Sequence, residues 1–186
     1  MKQAVIFISN GTEEIEAVAT IDILRRCGVC VDAVSIDNSK NIVCSNKTTL
    51  AADKTFDELG DNYFDIIDMV ILPGGMPGTT HLLKCKKVVD ICSEFINNNK
   101  FVCAICAAPI VLGKNNLLIN IHATCYPGFE GDLNGAILTN KSVVQDGNIV
   151  TAKGPGVVFE FAWSCAKLLV GSDIVEKIKA DMQFSN

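Results

Sequence analysis

Apolar positions along the chain fall into short unbroken runs separated by stretches with helical spacing. Residues 3–8 (QAVIFI) form the first run and predict a buried strand, closed by Asn10-Gly11. Ile15, Val18, Ala19, Ile21 and Leu24 then recur at helical intervals, so a helix is expected over about 15–27, stopped by Gly28. Residues 30–36 (CVDAVSI) and 67–72 (IDMVIL) read as further strands, the latter closed by Pro73-Gly74-Gly75. Between them, 41–52 alternates in short runs and fits a small hairpin or edge strand. Leu82, Leu83, Val88, Val89, Ile91, Cys92 and Phe95 predict a helix over about 80–98, ended by Asn97-Asn98-Asn99. Residues 101–105 (FVCAI) are a fourth main strand, with a short helix opening near Ala107.

The remainder is less regular. Residues 114–136 give no clear period. Residues 142–152 read as a hairpin around Asp146-Gly147. Gly154-Pro155-Gly156 turns into a helix over 157–170, and a last helix is expected over about 173–183 with Ser172 as its N-cap. Apolar strands alternating with helices imply an α/β fold with a mainly parallel central sheet covered on both faces. In such sheets ligands bind at the carboxyl ends of the strands. The segments to watch are therefore 9–16, 73–78, 106–109 and 153–157.

Length and charge narrow the function classes. The 186 residues suit a single domain over 1–186, and 49% hydrophobic content supplies a sizeable core. With a formal net charge of -5 and no basic stripe, no nucleic-acid partner is expected. The longest apolar run, 101–112, is too short to cross a bilayer, and no signal peptide is read at the N-terminus, so no membrane partner is expected. Nine cysteines, an odd number partly inside apolar runs, point to reduced thiols in a cytoplasmic setting.

Among those cysteines, Cys106 stands at a strand-to-helix turn. Small neighbours (Ala107, Ala108) keep the sulfur reachable, and unpaired N–H groups of a helix start would stabilise a thiolate and depress its pKa. A buried structural cysteine is the alternative. Glu13 and Glu14 suit a helix N-terminus, whereas Glu16 sits among apolar residues and is expected to face inward as a protonated partner of the thiol. Gly74 and Gly75 could turn backbone N–H groups toward a developing oxyanion, or form an ordinary turn. GGMPG lacks the GxGxxG pattern, which speaks against a nicotinamide or flavin cofactor. Two CxxC strings (Cys27–Cys30, Cys103–Cys106) raise zinc, but strand alternation should point Cys103 and Cys106 to different faces, and His81 and His122 lack ligand spacing.

Four strings in fixed order, GTEEIE at 11–16, ILPGG at 71–75, AICAAP at 104–109 and GPGVVFEFA at 154–162, resemble the DJ-1/ThiJ/PfpI superfamily, closest to its Parkinson-disease protein deglycase branch. The resemblance spans nearly the whole chain. It implies a flavodoxin-like sandwich, a homodimer with Ile15 of the first helix buried between subunits, and no cofactor. It implies Cys106 as nucleophile, Glu16 as its protonated partner, and backbone N–H groups of Gly75 and Ala107 at the oxyanion. Implied activities are conversion of small aldehydes such as methylglyoxal and repair of glycated protein. The alternatives are a redox sensor or chaperone switched by Cys106 oxidation, and a role in thiamine thiazole synthesis, for which no phosphate loop is visible. Tyr126 replaces a histidine found in many members and is a candidate proton relay. Asn46 replaces an arginine of close relatives, Arg26 keeps its counterpart, and both are candidate substrate contacts. Ala107 stands where protease-like members carry a histidine after the cysteine.

Overall fold

The computed structural model describes residues 1–184. In chain order its elements are β1 (Gln3–Ile8), α1 (Glu14–Arg26), β2 (Cys30–Ser35), β3 (Asn41–Val43), β4 (Thr49–Ala51), β5 (Lys54–Thr55), β6 (Met69–Leu72), α2 (Gly78–Lys84), α3 (Lys86–Asn97), β7 (Phe101–Ile105), α4 (Pro109–Gly113), β8 (His122–Ala123), β9 (Ile137–Leu138), β10 (Val143–Asp146), β11 (Ile149–Ala152), α5 (Val158–Val170) and α6 (Ser172–Asp181). Seven strands form one sheet in the order β10-β11-β7-β6-β1-β2-β5, with every neighbouring pair parallel except β10 and β11.

The unbroken apolar runs are the central strands. All four residues of β6 and five of six in β1 are buried, because helices cover both faces. On one face α1, α5 and α6 close over Ile6, Ile8, Ile71 and Cys103; on the other α2, α3 and α4 close over Phe7, Leu72 and Ala104. From β1 the chain builds outward through β2 on one side and β6 on the other. The crevice between the ends of β1 and β6 is therefore the topological switch point.

The structure departs from sequence expectation at several points. The helix expected over 80–98 is two helices, parted where Cys85 takes an extended backbone (φ -79, ψ 97). Leu82, Val88, Cys92 and Phe95 are all buried across the break, so the apolar period runs through it unmarked. Ser172 is the first residue of α6; Gly171, with φ 83, takes the cap position because that turn needs a left-handed residue. The region 114–136 contains β8, which pairs with β9. Residues 41–52 contain the β3–β4 hairpin, outside the main sheet. The hairpin over 142–152 is present, and β11 also joins the main sheet beside β7.

Candidate active site

Cys106 follows the last residue of β7 and has φ 64, a left-handed conformation rare for a residue with a side chain. Holding a non-glycine residue there costs about 1–2 kcal/mol, which the surroundings must offset. They do so by pinning both sides of the residue: its N–H donates to the Ala152 carbonyl at 2.9 Å, and its carbonyl accepts from the Tyr126 N–H at 2.8 Å. The turn lifts the side chain out of the strand, leaving Cys106 9% exposed. Backbone N–H groups of Ala107 and Gly75 are directed at the sulfur. α4 begins only at Pro109 and is five residues long, so the local N–H donors, rather than a helix dipole, act on the thiol.

Glu16 is fully buried one turn into α1. Glu13 caps that helix, its carboxylate accepting from the Glu16 N–H at 2.8 Å, which fixes where the Glu16 side chain leaves the backbone. One Glu16 oxygen, Oε2, accepts from the Gly74 N–H at 2.7 Å. The other, Oε1, is buried without a well-formed partner, and the group that interacts with this carboxyl is the Cys106 thiol. An unsatisfied buried carboxyl oxygen is costly, so a proton shared with the sulfur is the state this geometry favours.

Burial raises Glu16 to about 7, opposed by the Gly74 N–H and helped by the charge of Glu13. Burial and then the Glu16 carboxylate push the Cys106 thiol up to about 12, against the pull of the Ala107 and Gly75 N–H groups. The depressed thiol expected from the sequence is overturned by the structure, because burial and the neighbouring Glu16 carboxylate outweigh the backbone N–H groups and raise Cys106 instead. The two groups face each other and act as a coupled pair, the carboxyl raised to about 7 and the thiol to about 12. Thiolate exists in that range to the extent that Glu16 keeps the proton.

Gly74 has no room for a side chain. A Cβ there would lie 2.6 Å from the Cys106 Cβ, 2.9 Å from Glu16 Oε2 and 3.1 Å from the Ala107 nitrogen. Gly74→Ala is therefore expected to lower the melting temperature by roughly 5–10 °C, the result of about 2–3 kcal/mol of overpacking, and to slow Cys106 alkylation. Differential scanning calorimetry with timed iodoacetamide labelling measures both; an unchanged variant would mean the pair is not held by this contact. Gly75, with φ 87, lies against Gly11 and Thr12, where a Cβ would meet the Glu13 nitrogen at 2.3 Å.

The other residues singled out in the sequence separate. The Gly74 N–H is occupied by Glu16, so it positions the carboxyl rather than facing an oxyanion. Tyr126 borders Cys106, with its ring beside Gly154. Asn46 sits at the start of α1, its N–H and amide both on Glu14 Oε2 at 3.2 and 3.3 Å. Arg26 lies ten residues beyond Glu16, about 15 Å along the helix, and is paired with Asp22 at 2.7 Å, so it does not join this chain's Cys106 cluster. Cys103 and Cys106 border the same core cluster rather than opposite faces, because the left-handed turn at Cys106 breaks the strand alternation. All nine cysteines are free thiols, and among the described residues no three His, Cys, Asp or Glu side chains are placed to hold a metal.

Two features escaped sequence reasoning. Gly154 faces the sulfur, although the sequence shows it only as part of a turn. The Ser9 hydroxyl lies between Asp37, at 3.2 and 3.3 Å, and His81 Nδ1, at 2.8 Å, tying α2 to the ends of β1 and β2. A carboxylate only accepts, so Ser9 donates to Asp37 and accepts from His81 Nδ1–H. No spacing signal links residues so far apart.

The model of the DJ-1/PfpI family matches residues 2–168. Protein dj-1beta of Drosophila melanogaster is 31% identical over 179 residues, covering 95% of this chain and 94% of that protein. The Parkinson disease protein 7 homolog of Danio rerio is 27% identical, covering 97% and 96% respectively. The crystal structure of Drosophila melanogaster DJ-1beta superposes with a TM-score of 0.93 at 30% identity, covering 100% of this chain and 99% of that one. Oxidized Toxoplasma gondii DJ-1 gives 0.92 at 28% identity over the full length of both chains.

Proposed function

The chain belongs to the DJ-1/PfpI family, and from that premise we propose that it is a cofactor-independent cysteine enzyme acting on reactive aldehydes or early glycation adducts. The observation that carries this reading is the fully buried Glu16 carboxyl set against the thiol of Cys106, itself held in a left-handed turn. With a 2-oxoaldehyde, the thiolate adds to the aldehyde carbon and the alkoxide takes up a proton, giving a hemithioacetal. Glu16, as carboxylate, removes the proton from that carbon and returns it to the adjacent carbon, leaving a thioester of a 2-hydroxy acid. Water cleaves the thioester, releasing the hydroxy acid and regenerating the thiol. The Gly75 and Ala107 N–H groups that face the sulfur are within reach of charge developing on the attached oxygen. The direct test is turnover of methylglyoxal to lactate by the reduced protein; its absence would leave the redox-sensor reading, in which peroxide oxidises Cys106.

A homodimer is part of the proposal. Ile15 and Val18 are 53% and 46% exposed on α1, beside Phe159 and Met182, and large apolar side chains grouped in this way suit a subunit contact. Sedimentation equilibrium at micromolar concentration is expected to give a dimer, and Ile15→Glu a monomer; a monomeric parent protein removes this part. No helix among the described residues is long and apolar enough to cross a membrane. The free thiols support placing the protein in a reducing compartment such as the cytoplasm.

A further inference from the structure

Residues 73–78, the turn between β6 and α2, carry two of the backbone donors that meet the reactive pair: the Gly74 N–H on Glu16 and the Gly75 N–H facing the Cys106 sulfur. Gly74, Gly75 and Gly78 make up half of that turn, so it has little conformational preference of its own with which to aim those donors. It lies against the 9–13 loop backbone to backbone. A Cβ on Gly78 would lie 2.6 Å from the Thr12 nitrogen, and one on Gly75 would lie 2.5 Å from the Gly11 carbonyl oxygen. Such contact brings the two segments together but gives them no direction. Among the described residues one hydrogen bond joins their backbones, from the Glu13 N–H to the Gly74 carbonyl at 2.9 Å. A single bond is a pivot.

A second tie is made at the start of α2. The Thr79 N–H donates to the Gly75 carbonyl at 2.9 Å and the His81 N–H to the Pro77 carbonyl at 3.1 Å, so the turn follows the His81 backbone. The His81 ring meets the Ser9 hydroxyl through Nδ1 at 2.8 Å. Ser9 is fully buried; its N–H donates to Thr12 Oγ1 at 3.0 Å and its carbonyl accepts from the Thr12 N–H at 2.9 Å. Asp37 accepts the Ser9 hydroxyl at 3.2 and 3.3 Å, and is itself held by the Asn10 N–H at 2.9 Å and side-chain amide at 2.8 Å. The carboxylate thereby orients the hydroxyl and leaves its lone pair for His81 Nδ1–H. This order also speaks against a nucleophilic serine, whose hydroxyl would give its proton to the imidazole instead.

We infer that Ser9, His81 and Asp37 are positioning residues, a strap that fixes the 73–78 turn so that the Gly74 N–H meets Glu16 and the Gly75 N–H faces Cys106. The strap acts on the site through the backbone and rests on the Cys106–Glu16 centre of the reaction proposed above. With the strap cut, the turn pivots about the Glu13–Gly74 bond and both donors lose their aim. Each donor opposes the upward push of burial on the group it faces. Their loss therefore moves carboxyl and thiol further up: Cys106 reacts more slowly at a given pH, and the inflection of its alkylation profile shifts above 7.

The test is the rate of Cys106 alkylation by iodoacetamide against pH on the full chain, followed by peptide mapping, with the exposed Cys30 of the same molecule as the reference thiol. Ser9→Ala removes the hydroxyl and His81→Leu the ring donor. Each is expected to slow Cys106 about tenfold at pH 7, the scale of a small misplacement of a site group. Each should also move the inflection upward by roughly 0.5 or more in pH, with Cys30 unchanged. His81→Asn, whose amide nitrogen can stand where Nδ1 does, is expected to stay within twofold of the parent. A variant that had only lost stability would keep the parent profile at temperatures where it is folded. A Ser9→Ala rate within twofold of the parent, with an unmoved inflection, overturns the strap, whatever becomes of His81→Leu. So does a His81→Asn as slow as His81→Leu, or a Cys30 slowed in proportion to Cys106. An unmoved Ser9→Ala profile in a parent that turns over methylglyoxal leaves the enzyme reading intact. If the parent does not turn it over, the aldehyde reading fails, and the alkylation profile still decides the strap.

Discussion

Cys106→Ser is expected to abolish methylglyoxal turnover, a loss on the order of 10⁴-fold or more, while the fold persists. The hydroxyl is smaller than the thiol and adds no bulk, and the turn is held by backbone bonds to Ala152 and Tyr126 that the substitution does not touch. What fails is ionisation. Glu16, titrating near 7, can share a proton with a thiol but is far too weak a base for an alcohol. The His81 ring is bonded to Ser9, in the separate chain that ends at Asp37, and His122 is bonded to Asp146, so no imidazole stands ready at position 106. Steady-state lactate production, with circular dichroism as the folding control, measures the effect. A serine variant keeping even one hundredth of the parent rate would remove Cys106 as the nucleophile.

Glu16→Gln should reduce turnover by roughly 10²–10⁴-fold, the range for losing a positioned general acid–base. The amide can still accept from the Gly74 N–H but cannot carry a proton between two carbons. Its pH behaviour is more specific. In the parent protein Cys106 alkylation should rise through an inflection near 7, as the pair loses its first proton, and then stay level until the second leaves near 12. Glu16→Gln should lose the inflection near 7. Stability should respond as well. The folded-state value of Glu16, about 7, lies above its ordinary 4.5, so its contribution is complete below about 4.5 and is lost as pH rises through 7. The span corresponds to on the order of 3 kcal/mol at most. Urea denaturation at pH 5.5 and 8.5 should therefore differ more in the parent than in Glu16→Gln. An identical pH dependence in the two proteins would show that Glu16 is not the group titrating there.

Much of the frame was legible in the chain. QAVIFI, IDMVIL and FVCAI are apolar throughout, and only a strand covered on both faces accommodates that, so the parallel sheet follows from composition along each run. Parallel strands place their carboxyl ends together, which is why 9–16, 73–78, 106–109 and 153–157 could be named together as the site. The inward position of Glu16 was also readable, as a carboxylate inside an apolar helical stripe. The break at Cys85 was not, because Leu82 and Val88 keep the same apolar face across it. Nor was the placement of Arg26: a sequence shows that a cation is present, but not that ten residues of helix carry it away from Glu16 into a pair with Asp22.

The sequence alone determined the layers of the fold, the strand ends that meet, and Cys106 with Glu16 as the pair to examine, because hydrophobic period and turn chemistry act over a few neighbouring residues. The tertiary structure decided what depends on distances between segments far apart in the chain. It turned the Gly74 N–H to the Glu16 carboxyl, at 2.7 Å across 58 residues, and left Gly75 and Ala107 to face the sulfur. It also set the acidity of the thiol, since desolvation is a property of the packed site and not of the residue: an isolated thiol would ionise near 9, whereas here burial and the Glu16 carboxylate push it up to about 12. And it brought Gly154 against the Tyr126 ring and close to Cys106, a neighbourhood that no local turn preference could reveal.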